Sequence, residues 1–205
     1  MTYPLLSLIV FTPFLGALFV MLLPSEPPAI ARRAAFVFSL VPFVLSLEML
    51  RQFDPAIGTF QMTEKVAWIP NLGVYYSLGV DGFSLWLIIL TTLLTPVVIL
   101  AAWGDIVRLV KEFMGLVLFM EGAMLGALVA VDLFLFFVFW ELMIVPFFFV
   151  IGVWGGPRRR YATIKFVLYT MVGSALMFVG MIYLVLKHAQ NNPITFDIVS
   201  LYKVP

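Results

Sequence analysis

The chain has 205 residues, 63% hydrophobic and only 11% charged, with a formal net charge of +1, where soluble domains carry about a quarter charged residues. That balance excludes a water-soluble globule and gives no electrostatic reason to expect nucleic acid. Without cysteine and with His188 as the single histidine, the chain offers no disulfide, thiolate-held iron–sulfur cluster, bis-histidine haem or HExxH metal site, so redox chemistry would belong to partner chains.

A membrane-crossing helix needs about 20 mainly apolar residues. Six stretches qualify: residues 4–23, 34–50, 83–103, 113–131, 133–154 and 164–186. The expectation is an all-α polytopic transmembrane bundle forming one domain over residues 1–205. The first span lacks the basic flank and small-residue cleavage site of a signal peptide. Pro13, Pro42, Pro96 and Pro146 fall inside spans, where packed neighbours can re-satisfy the carbonyls a proline frees.

The long connection over residues 52–81 reads as a short extended hairpin. Val66, Trp68, Val74, Tyr75 and Tyr76 flank an apparent turn, Pro70-Asn71-Leu72-Gly73. Trp68, Tyr75 and Tyr76 suit the headgroup belt of the outer interface. Loops after the odd-numbered spans hold eight basic residues: Arg32, Arg33, Arg108, Lys111, Arg158, Arg159, Arg160 and Lys165. The other loops and the tail hold four, Arg51, Lys65, Lys187 and Lys203. The positive-inside rule then places both termini on the outer side.

Glu121 and Glu141 stand well inside the fourth and fifth spans, which form a tight antiparallel hairpin turning at Val131-Asp132. Each is roughly 14–16 Å from that turn at 1.5 Å per residue, near the midplane of a core about 30 Å thick. A carboxylate facing lipid there costs about 3 kcal/mol or more. Both should face the bundle, carry a proton, or pair with a cation, and a carboxyl poised between charge states suits proton transfer. The structural alternative is a carboxyl hydrogen-bonded between helices or paired with a lysine. Gly122, Gly126 and Ala130 form a small-xxx-small ridge that admits a close neighbour.

Lys165 begins the sixth span, either snorkelling to water or sitting at the mouth of a proton path. Asp132 and Asp81 read as helix N-caps, with Asp132 also able to feed or drain a path. Glu48 lies near enough to a span end to reach water, and His188 reads as interfacial. The Phe-rich stretch of the fifth span reads as core filling rather than a quinone pocket.

Asp132 to Pro146, DLFLFFVFWELMIVP, closely resembles the fifth-helix signature of the antiporter-like M-type (chain 4) subunit family of respiratory complex I, NADH–quinone oxidoreductase. WIPNLGVYYSLGVDGFSL from Trp68, the Glu121–Gly126 segment and YATIKFVLYTMVGS from Tyr161 agree. The resemblance implies a fourteen-helix fold of two inverted repeats in a bacterial inner membrane. It also implies proton translocation along buried charges, coupled to quinone reduction elsewhere. Glu141 matches the family's fifth-helix acid, which pairs with a seventh-helix lysine, and Lys165 falls in its sixth-helix motif. Glu121 matches a position often acidic in this branch. FMN, iron–sulfur clusters and quinone are then expected in partner subunits, with the bilayer, other membrane subunits and protons as partners. Subunits of multi-subunit cation/proton antiporters and membrane hydrogenases share the fold and are the near alternatives, and a purely structural spacer is the third. Ending at Val204-Pro205 after six spans, the chain reads as the front part of a longer subunit.

Overall fold

A computed structural model describes residues 4–202; Lys203, Val204 and Pro205, invoked above, lie outside the described residues. Six long helices follow one another: α1 (Leu5–Leu22), α2 (Pro28–Gln52), α3 (Gly82–Asp105), α4 (Val110–Val129), α5 (Leu133–Trp154) and α6 (Arg159–Ala189), with a short α7 (Ile198–Leu201). All six long ones are apolar and long enough to cross a membrane. A two-stranded antiparallel hairpin, β1 (Gln61–Ile69) and β2 (Val74–Val80), is inserted between α2 and α3.

Two helices outrun the predicted spans, for one reason. Hydropathy windows stop at Arg32, Arg33 and the Arg158–Arg160 cluster, but long basic side chains extend a helix while their heads reach water. So α2 starts at Pro28, with proline in its favoured first-turn position. At 31 residues, α6 is about 46 Å long, well beyond the hydrocarbon core. The four interior prolines all sit within helices, and all are buried against neighbours.

The small-residue ridge on α4 admits aromatic rings rather than another backbone. A Cβ on Gly122 would stand 2.7 Å from the Phe14 ring of α1. One on Gly126 would stand 2.3 Å from Phe139 of α5. The first is a socket for α1 and the second for α5. Ala130 has left the helix and bridges Leu78 of the hairpin.

The turn of the hairpin is a single 3₁₀ turn, Pro70–Leu72, closed by Gly73 in the left-handed region (φ 66°). Glycine is needed there twice over, since a Cβ would also meet the Ile194 carbonyl oxygen at 2.2 Å. The hairpin is a roof rather than an interfacial fringe. Val74, Ser77, Leu78, Gly79 and Val80 are buried, and Val131 N–H donates to the Ser77 carbonyl at 2.9 Å. Trp68 is exposed, as headgroup placement requires. Tyr75 and Tyr76 are half-buried instead, and the Tyr76 hydroxyl lies 2.7 Å from the Ser7 hydroxyl. Packing of β2 onto the helix ends half-encloses both tyrosine rings at that level.

The two ends of the bundle are chemically opposite. On the hairpin side, α1, α3 and α5 begin, and carboxylates meet their free N–H groups. Glu64 of β1 accepts from Leu6 N–H at 2.8 Å and also from the Ser7 hydroxyl. Asp81 forms a capping box with Ser84, and Asp132 accepts from Phe134 and Leu135. On the opposite, arginine side the same helices end. There Lys111 donates to the Leu23 carbonyl (3.2 Å), Arg32 to Ile106 (2.9 Å) and Arg159 to Val153 (2.8 Å). Acids at helix starts and bases at helix ends each satisfy orphan backbone groups and complement the macrodipole.

Candidate functional site

Glu121 is fully buried on α4, and its two enclosed carboxyl oxygens have no hydrogen bond of good geometry among the described residues. The Thr95 hydroxyl of α3 is set against them as a hydrogen-bonding group. That hydroxyl also lies 3.1 Å from the Thr91 carbonyl, so its single hydrogen is divided between two acceptors. Such a carboxyl is costly to leave ionised and unpaired.

Glu141 differs. It is half-buried on α5, with one carboxyl oxygen enclosed and unpartnered. Phe139, two residues earlier, packs on Gly126 of α4, which turns Glu141 about 160° away from that contact. It therefore looks toward α6. Phe137 stacks on Phe178 and Phe147 meets Phe166. Interpolating between these contacts sets Glu141 level with Gly173 and the buried Ser174. Pro146, five residues on, frees the carbonyl of Leu142, the residue next to Glu141.

The two acids share a depth but not a compartment. Gly126, the α5 socket, is five residues after Glu121, so Glu121 points roughly 140° away from α5. It faces the α2–α3 side of α4, while Glu141 faces the α6 side of α5. A common depth was legible from counting residues; the opposite facing was not, because it depends on which glycine takes which ring.

Lys165 is exposed on α6 between Tyr161 and Tyr169, its ammonium 5.8 and 5.9 Å from the two ring centres. Because α6 starts at Arg159, Lys165 lies about 9 Å into the helix rather than one turn in, and roughly 13 Å along it from the level of Glu141. Neither residue takes part in an ion pair among the described residues.

Asp132 is both the α5 N-cap and a clasp, because its second oxygen accepts from Tyr75 N–H of β2 at 3.0 Å. Burial and the nearby Asp197 carboxylate hold its pKa above the usual Asp range, against the pull of these backbone N–H groups. Glu48 pairs with Arg51 at 2.9 Å near the end of α2. His188 is half-buried at the end of α6, its Nδ1 enclosed.

Sequence reading passed over four buried polar residues on α2 and α3, Ser39 and Ser46 on the first and Thr92 and Thr95 on the second, with Thr95 set against Glu121. Ser46 and Thr92 hydroxyls meet at 2.9 Å. Their spacing, seven apart on one helix and three apart on the other, is the signal that marks one face of each.

The family described as "NADH:quinone oxidoreductase/Mrp antiporter, TM" matches residues 130–204. NADH-quinone oxidoreductase subunit M of Rhodobacter capsulatus is 42% identical over 195 residues, covering 93% of this chain and 38% of that protein. F(420)H(2) dehydrogenase subunit M of Methanosarcina mazei is 37% identical over 199 residues, covering 97% and 40%. Among solved structures, respiratory complex I from Thermus thermophilus with bound NADH contains a chain that is 29% identical, with a TM-score of 0.80. The likeness covers 98% of this chain and 39% of that one. The chain thus spans about two-fifths of the length of the curated relatives it matches. With the six-helix order and capped hairpin described above, the chain is thus similar over nearly its whole length to the antiporter-like membrane subunits represented by NADH–quinone oxidoreductase subunit M.

Proposed function

We propose that the chain is part of a proton-translocating membrane subunit of an NADH–quinone oxidoreductase. Glu141 is its main proton carrier, Glu121 a second acid, and Lys165 a residue at the mouth of the route. The observation that carries this reading is the pair of mid-depth carboxyls with enclosed, unpartnered oxygens, the state of a group that exchanges a proton rather than holding a partner. Glu141, half-buried beside α6, has room for a cationic partner from the longer protein. The redox groups (FMN, iron–sulfur clusters and quinone) belong to partner subunits, and this chain supplies no redox centre. The basic cluster at the arginine side supports a cytoplasmic location for that end and an outer location for the termini, in a bacterial inner membrane.

Glu141→Gln in the intact assembly tests the reading. Proton pumping should fall at least about a hundredfold, the lower end of what a lost general acid–base group costs, while the subunit remains assembled. Normal pumping with normal assembly overturns it and leaves a structural spacer. A second reading, an antiporter or hydrogenase subunit with no NADH link, is favoured by the joint description of the matching family. It predicts that no nicotinamide-binding chain co-purifies and, for the antiporter, no iron–sulfur chain either.

A further inference from the structure

The buried hydroxyls around Glu121 have a chemical bias. Thr95 donates to the Thr91 carbonyl (3.1 Å), Thr92 to Ile88 and Ile89 (3.0 and 3.1 Å), and Ser46 to Phe43 (2.7 Å). One hydrogen lies between the Ser46 and Thr92 oxygens, and the others can go to backbone carbonyls, so these hydroxyls keep lone pairs for their surroundings. Pro96 adds another acceptor, since it leaves the Thr92 carbonyl without its helical donor. From the Ser46–Thr92 contact, antiparallel α2 and α3 bring Pro42 level with Pro96, so two loosened turns face one another beside Thr95. Glu121 completes the line with two enclosed oxygens, Thr95 set against them. A row with more acceptors than hydrogens is completed by molecules that bring O–H groups, such as water and hydronium, and repels anions.

The line also has a direction. One turn from Ser46 toward the hairpin, Leu50 lines a cleft of about 680 Å³ at the outer ends of α2 and α3, with Phe53, Asp81, Leu85 and Trp86. Between cleft and hydroxyls stand Met49 and Ile88, both fully buried, an apolar plug roughly 6–10 Å thick.

We propose that Ser46, Thr92 and Thr95 form a water-conducting branch joining the Glu121 carboxyl to the hairpin-side cleft, closed by Met49 and Ile88 until the plug parts. Resting on the reading of Glu121 as a proton-handling acid, the branch gives that carboxyl an exchange route separate from Glu141. A hydronium arriving along it gives one proton to the Glu121 carboxylate and reverts to water. In the reverse direction the carboxylic acid passes its proton to the first water and becomes carboxylate.

The absence of cysteine from the chain permits a direct test in the assembled complex. Ser46→Cys, Thr92→Cys and Thr95→Cys are introduced one at a time, and membranes are treated with 2-aminoethyl methanethiosulfonate or silver ion. Modification is read from the mass of this subunit. Ile99→Cys, equally buried on α3 but apolar in surroundings, is the control. The ladder cysteines should react about tenfold faster than the control, since thiolate chemistry needs water at the sulfur. Met49→Ala should speed them further. Rates equal to the control at every ladder position that assembles overturn the branch and leave the hydroxyls as helix-packing groups. If Glu121→Gln pumps normally while the ladder cysteines react, the proton role of Glu121 falls and the water branch stands.

Discussion

The four helices α1–α4 and the pair α5–α6 treat their acids in opposite ways. Glu121 is sealed among α1–α4, whereas Glu141 sits on a layer where few residues are buried, only Thr163, Ser174 and Val185 along the whole of α6. The first half has a finished core with its own polar seam. The second has a face that stays open among the described residues. Identical side chains at nearly equal depth thus meet different surroundings: one is enclosed on every side, the other lies on an open face.

The largest test of this contrast is steric. Gly126→Leu drives a side chain into the Phe139 ring and should cost about 3 kcal/mol, read by urea titration in lipid micelles; a negligible loss would mean the α4–α5 contact is loose. Asp132→Ala strips the acceptor from Tyr75, Phe134 and Leu135, unpinning the open layer from the roof. It should cost about 2 kcal/mol. Glu121→Met removes an unpaired buried carboxyl at similar volume and should raise stability by about 1–2 kcal/mol, whereas Glu141→Gln should leave it nearly unchanged. A smaller effect follows from Asp132, whose pKa is raised in the fold by burial and by Asp197. Its ionisation opposes folding, so stability should be greatest below the unfolded Asp value of about 3.9 and fall as pH rises through the folded value. Asp132→Asn should flatten that slope. Smallest is Gly173→Ala, where a Cβ meets nothing within 4 Å; in this chain it should stay within about 0.5 kcal/mol. A larger cost in the intact assembly would identify this face as covered.

The spans, the two mid-depth acids and the caps Asp81 and Asp132 were legible because each follows from local rules: run length, distance from a turn, and residue type at a helix start. The facing of Glu121 was not, since it depends on Phe14 filling Gly122 and Phe139 filling Gly126, two long-range fits. The half-enclosure of Tyr76 was hidden for the same reason. The hydroxyl seam left a spacing signal, but isolated Ser and Thr in apolar helices so often bond their own backbone that spacing alone does not distinguish them.

The Glu64 contact bears on the order in which the molecule is made. The acceptor that closes the start of α1 lies 58 positions down the chain from Leu6. As the chain grows, the first helix therefore waits with open N–H donors until α2 has been built and the hairpin strand delivered to the same side. A chain grown only to residue 63 holds an incomplete first helix, and delivery of β1 to the start of α1 completes it.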